Sequence, residues 1–190
     1  MPATSFRKLK KLALSRLALL SPHLTYHSLE HTTDVLTQCV KIAALEHLDN
    51  GDLALLKIAA MYHDTGFLFA YMGHEEKSCG IFLEDINGIA FKSREIKIIL
   101  GIIMATKVPQ KPKTLMQKII CDADLDYLGR RDFPAITGRL KTEFLHFSIV
   151  KDEQEWKKVQ LEFLKKHRYH TASSRKRREA VKQINLSRLD

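Results

Sequence analysis

The chain has 190 residues, 45% of them hydrophobic and 28% charged, one domain's worth of polypeptide that can bury about 70% of its unfolded surface. A mean hydropathy of -0.20 excludes both a protein built of membrane spans and one too polar to fold. The net charge of +9 favours acidic partners such as phosphate esters, nucleotides or nucleic acid, although a basic surface also serves solubility alone.

Residues 1–29 carry five basic side chains and no Asp or Glu. Arg7, Lys8, Lys10 and Lys11 followed by apolar residues superficially resemble a signal peptide, but Arg16 interrupts the apolar run and no A-x-A site follows. No stretch reaches the roughly 18 uncharged residues of a spanning helix, so the reading is a cytoplasmic protein with no membrane partner. The apolar positions Val35, Leu36, Cys39, Val40, Ala43 and Ala44 recur at helical steps. Asn50-Gly51 reads as the end of that helix and Asp52 as the N-cap of the next, which runs through Leu55, Leu56, Ala59, Ala60 and His63 to Gly66.

A loop around Gly73 precedes a helix from about His74 to Glu84, broken by Asn87-Gly88. Ser93 opens a segment whose Ile98, Ile99, Ile102 and Ile103 mark a buried helix. Thr114 and Gln117 form a capping box, which predicts a helix from Leu115 to Leu128. Asp152 and Glu155 repeat that signature ahead of Trp156, Val159 and Phe163, and the block Arg175–Arg178 belongs to a solvated helix ending near Leu189. Strand-like alternation is scarce and no heptad persists, so the fold class is all-α: a compact bundle forming a single domain over residues 1–190. Cys39, Cys79 and Cys121 are odd in number and include no C-x-x-C pair. They read as free thiols rather than as a zinc ribbon or redox site.

Nine histidines are many for this length. His27 and His31 stand four apart, which places both on one helical face. His63-Asp64 closes the apolar run Ile58–Tyr62, and Asp122, Asp124 and Asp126 follow Ile119-Ile120-Cys121 directly. A carboxylate facing a core needs a compensating charge, and a metal ion supplies one. One histidine on a first helix, His-Asp ending a second and an aspartate on a third can converge in a bundle.

That pattern, His31, His63-Asp64 and an aspartate within Asp122–Asp126, resembles the H…HD…D signature of the HD superfamily of metal-dependent phosphohydrolases. Tyr26-His27-x-x-x-His31-x-x-Asp34-Val35 is similar to a segment of cyclic-nucleotide phosphodiesterases, and His74-Glu75-x-x-Ser78 and Asp122–Gly129 resemble segments of small bacterial HD proteins. The motifs cover residues 24–130; residues 131–190 share only helical character. The resemblance implies a compact HD-type helical bundle in which His31, His63, Asp64 and Asp122 bind a divalent ion, with Asp124 the alternative to Asp122. Manganese, iron, magnesium and zinc all suit such a donor set.

The implied activity is hydrolysis of a phosphodiester or nucleotide by metal-activated water, with His27 as general acid and His74 at the nucleophilic water or a second ion. Lys77 and Lys107, near the motif segments, are candidates for the substrate's negative charge. The chain departs from some relatives: Thr106-Lys107-Val108-Pro109 lacks a further histidine, and Thr65-Gly66-Phe67 stands where alarmone hydrolases carry Glu-Asp. Both departures speak against a two-metal site and an alarmone substrate. A non-catalytic HD-like module binding nucleotides or nucleic acid is the alternative, with nucleic acid less favoured because no aromatics interleave with Arg175–Arg178. His27-Ser-Leu-Glu30-His31 also fits the H-x-x-E-H zinc-peptidase motif, which leaves His63-Asp64 and Asp122 without a role.

Overall fold

Among residues 3–189, which the computed structural model describes, the apolar periodicity becomes nine α-helices with no strand. They are α1 (Ala3–Leu17), α2 (Leu29–Leu45), α3 (Asn50–Tyr62), α4 (His74–Asp85), α5 (Ser93–Ala105), α6 (Leu115–Asp124), α7 (Phe133–His146), α8 (Glu153–Lys166) and α9 (Ala172–Ser187). The protein is an all-α bundle. Short 3-10 turns at Thr65–Leu68 and Asp126–Gly129 follow α3 and α6.

Two apolar clusters organise the helices. The larger gathers Leu9 and Ala13 of α1, Val35, Cys39 and Ile42 of α2, most of α3, and the isoleucines of α5 and α6. The basic N-terminal run is therefore the outer face of a packed helix. A second cluster joins Tyr26, Leu125, Tyr127 and Leu128 to Phe133 and Ile136 of α7 and Leu164 of α8. Along the chain Ala123 belongs to the first cluster and Leu125 to the second, so Asp124 sits at the seam.

Several helix boundaries differ from the sequence reading. Asn50-Gly51 does not end α2; it opens α3, whose N-cap is Asp49, accepting from the amides of Gly51 (2.8 Å) and Asp52 (3.0 Å). α2 ends at Leu45 with the left-handed residue His47 (φ 55°), the Leu48 amide returning to the Ala43 carbonyl at 2.9 Å. This is a glycine-free version of a common C-cap, which no Gly signals in the sequence. α6 stops at Asp124 rather than Leu128, and its continuation tightens into the 3-10 turn. The Thr114–Gln117 capping box and the Asp152 cap are both present.

α9 is not the solvated helix expected. Ser174, Lys182 and Asn185 are buried, and Arg178 donates to both oxygens of the buried Asp126 at 2.7 and 2.8 Å. Its inner face is polar, so apolar spacing could not reveal it. The thiols of Cys39, Cys79 and Cys121 are free. Among the described residues no helix is long and apolar enough to cross a membrane.

Candidate metal centre and adjoining cavity

Three local devices bring the polar residues together. Ser28 caps α2 through the His31 amide, which sets His31 in the first turn with its ring buried. His63 ends α3, and its Nδ1 lies 2.9 Å from the Ala60 carbonyl oxygen. A proton donated there leaves the lone pair on Nε2, the arrangement that suits a metal ligand. Ser78 of α4 then latches the turn: its hydroxyl donates to the His63 carbonyl (2.6 Å) and accepts from the Gly66 amide (2.8 Å). Gly66 is obligatory, because a Cβ there would lie 1.9 Å from the His74 carbonyl oxygen.

At the centre, His31 Nε2 lies 3.2 Å from Asp64 Oδ2 and 3.1 Å from Asp124 Oδ1. His63 Nε2 lies 3.2 and 3.7 Å from the same two oxygens. Donor atoms of His31, His63 and Asp124 all fall within 4.8 Å of one another. Two atoms each about 2.1 Å from one ion stand about 3 Å apart at a right angle, so this spacing fits ligands of a common cation. His31 Nε2, His63 Nε2 and Asp64 Oδ2 are buried and make no hydrogen bond. Orphaned polar atoms of this kind are costly in a core, and a cation satisfies all of them together. His31, His63 and Asp124 form a group that could hold a metal ion, with Asp64 beside it.

The electrostatics agree. Burial works against protonated imidazole, yet Asp124 and Asp64 outweigh it and lift His31 to about 9; the same carboxylates hold His63 well above its usual range. Burial likewise opposes the charged carboxylates, but the imidazoles keep Asp64 well below its ordinary value and Asp124 at about 2. A dication would compete with those protons for the same lone pairs.

Asp122 is not part of this group. Its oxygens accept from the amides of His170 (2.7 Å) and Thr171 (2.8 Å) and from the Thr171 hydroxyl (2.7 Å). Burial raises its pKa despite those three donors. Residues two apart on a helix diverge by about 200°, so α6 can aim only one of Asp122 and Asp124 at His31 and His63, and it aims Asp124. No family model, curated protein or solved structure matches the chain.

His27 lies outside α2, on the segment before Ser28, so it does not share a helical face with His31; their ring centroids are 5.7 Å apart. Its Nδ1 is bonded to Glu143 of α7, a fully buried carboxylate that also accepts from the Tyr26 amide (2.8 Å), the His27 amide (3.0 Å) and the Tyr71 hydroxyl (2.7 Å). Burial opposes the Glu143 charge, but His27 and the other donors hold its pKa below the ordinary value. Glu143 thereby fixes the ring and leaves Nε2 to the cavity.

Phe67 stacks between His27 and His74, at 4.3 and 3.8 Å between centroids. His74 Nδ1 lies 3.1 Å from the Tyr71 carbonyl oxygen, and its Nε2 lies 3.6 Å from Asp64 Oδ1. Glu30 is exposed rather than turned toward the histidines.

A cavity of about 310 Å³ opens beside the group, with His27, Asp64, His74 and Asp124 on one wall and side chains of α7 and α8 on the other. Lys107 lies on its wall, ion-paired with Glu76. Lys77, by contrast, is exposed on α4 and outside the cavity lining, because it points away from the face that Ser78 and Glu75 bury. Sequence reasoning missed Glu143 and Tyr71. A single acid on an amphipathic helix carries no signal until a neighbour turns toward it.

Proposed function

We propose that the protein is a metal-dependent phosphohydrolase of HD type, acting on a phosphate ester. The observation that carries this reading is the set of buried, hydrogen-bond-free donor atoms of His31, His63 and Asp64 facing Asp124. Those four residues would hold a divalent ion, which supplies Lewis acidity toward a phosphoryl oxygen and lowers the pKa of water. His27, oriented by Glu143, stands one ring away; with both ring nitrogens protonated and Nδ1–H held by that carboxylate, it would donate its Nε2 proton to the departing alkoxide. His74, held by the Tyr71 carbonyl, presents Nε2 beside Asp64 and positions water there. Phe67, stacked on both rings, keeps them from collapsing onto one another.

Elemental analysis of the purified protein, followed by a phosphomonoester and phosphodiester panel with Mn, Fe, Mg and Zn, tests this reading. Near-stoichiometric metal and turnover that a chelator abolishes are expected. An Asp64→Ala variant should keep its helical circular dichroism and lose the metal; full metal content in that variant would overturn the proposal.

A further inference from the structure

The cavity beside the metal group narrows the substrate class. The wall away from the metal is apolar and aromatic, formed by Phe133 and Phe144 of α7 with Trp156, Phe163 and Leu164 of α8. Among the described lining residues Lys107 is the sole Lys or Arg, and it is already paired with Glu76. A chain of several phosphates would therefore meet the acids Asp64, Glu75 and Asp124 with little cationic relief.

The polar side chains of the far wall are mostly occupied. Gln160 of α8 donates to the Thr137 hydroxyl of α7, and outside that wall Thr106, at the end of α5, donates to the Ile103 carbonyl at 2.8 Å. A hydrocarbon body placed there leaves those hydrogen bonds intact, whereas a polar body would have to break them or lose its own. The rim continues the same chemistry: Met72 is 78% exposed, Val108 58% and Val159 40%, and all three line the cavity. An exposed apolar rim around an apolar pocket is a recognition surface more than a solubility feature.

We propose that this cavity takes the alkyl chain of a phosphate monoester, with the phosphate on the cation that His31, His63, Asp64 and Asp124 would hold and the chain running along α7 and α8 toward Trp156. The inference rests on the phosphohydrolase reading for the position of the head group. Chain recognition depends only on the apolar wall. The leaving group of the reaction is then an alcohol with a hydrocarbon tail.

Trp156, the sole tryptophan, lies in that wall and reports occupancy. Its fluorescence is titrated in the full-length protein with Mg²⁺ and non-hydrolysable n-alkylphosphonates from ethyl to dodecyl, with adenosine monophosphate as comparison. Each methylene should lower Kd by about fourfold, the equivalent of the roughly 0.8 kcal/mol of a buried methylene, until the cavity is full. Adenosine monophosphate should bind more weakly than decylphosphonate. A Val159→Asp variant, changed at a half-exposed rim position, should weaken decylphosphonate about tenfold with its metal content unchanged.

A Kd independent of chain length, or a nucleotide that outcompetes the decyl ligand, would overturn the inference even if the protein hydrolyses phosphate esters. Chain-length-dependent binding without any turnover would instead sustain the apolar pocket and sink the hydrolase reading.

Discussion

The protein buries acidic side chains in two neighbouring places and treats them in opposite ways. Beneath α9, Asp122 accepts from two amides and a hydroxyl, and Asp126 accepts from Nε and Nη2 of Arg178. At the seam between the two apolar clusters, Asp64 and Asp124 face His31 and His63 across 3.1–3.7 Å, with three of the four facing atoms buried and lacking a hydrogen bond. The carboxylates are chemically identical, and Asp122, Asp124 and Asp126 stand only two residues apart along the chain at the end of α6. What separates them is saturation. A buried acid whose lone pairs are met by protein donors is part of the scaffold; one whose lone pairs converge on other unmet donors is built for something that arrives from outside.

The sharpest way to break this comparison is to remove one acid from each place. Asp124→Ala should abolish metal binding, measured as metal per chain after dialysis, with the helical circular dichroism retained. Asp122→Ala should do the reverse. It keeps the metal and costs about 2 to 3 kcal/mol of stability in a urea titration, because the His170 and Thr171 amides lose a charged acceptor in a buried setting. If Asp122→Ala strips the metal while Asp124→Ala keeps it, the assignment of the two aspartates is inverted.

The sequence carried the site as far as residue type and spacing can. His31 and His63-Asp64 were legible because each lies within or at the end of an apolar helix, and apolar spacing reports burial directly. The choice between Asp122 and Asp124 was not, since both follow the same Ile119-Ile120-Cys121 run. What decides is the position of the His170-Thr171 backbone, which is supplied by chain nearly fifty residues later. Glu143 was illegible for the same reason, since its partners Tyr26, His27 and Tyr71 are all remote in sequence. The all-α class and the caps at Thr114 and Asp152 are local properties and were read correctly. α9 was misread because its inward face is Ser174, Lys182 and Asn185, a pattern that mimics solvent exposure.

Arg178 probes the scaffold side of the comparison from the cationic partner. Asp126 is fully buried, so Arg178→Ala leaves a carboxylate in the core with its main counter-charge removed. Breaking such a pair costs about 3 to 5 kcal/mol, which for a chain of this length is a large part of the whole stability. Metal content should be unchanged in whatever fraction stays folded. An Arg178→Ala, Asp126→Asn double variant should recover part of the loss, because the uncompensated charge goes with the second change. A loss below 1 kcal/mol in the single variant would mean that Asp126 finds water or Arg130 instead.

A further effect is a pH dependence outside the candidate metal centre. His167 is buried between the rings of Phe163 and Tyr169, and neither of its ring nitrogens has a hydrogen-bond partner. Burial, with the charge of the buried Lys182 behind it, lowers its pKa to about 3. The folded protein therefore keeps this ring neutral while the unfolded chain takes up a proton below about 6.5. The contribution is fully present above pH 6.5 and is lost as the pH falls from there toward 3, by about 1.4 kcal/mol for each pH unit inside the window. Urea titrations of the wild type and of His167→Leu between pH 7 and pH 4.5 isolate it, since every other titrating group is shared. The stability of the wild type relative to the variant should fall by about 2 to 3 kcal/mol across that range. Parallel curves for the two proteins would mean that His167 takes up a proton in the folded protein as readily as in the unfolded chain, with its ring nitrogens open to water.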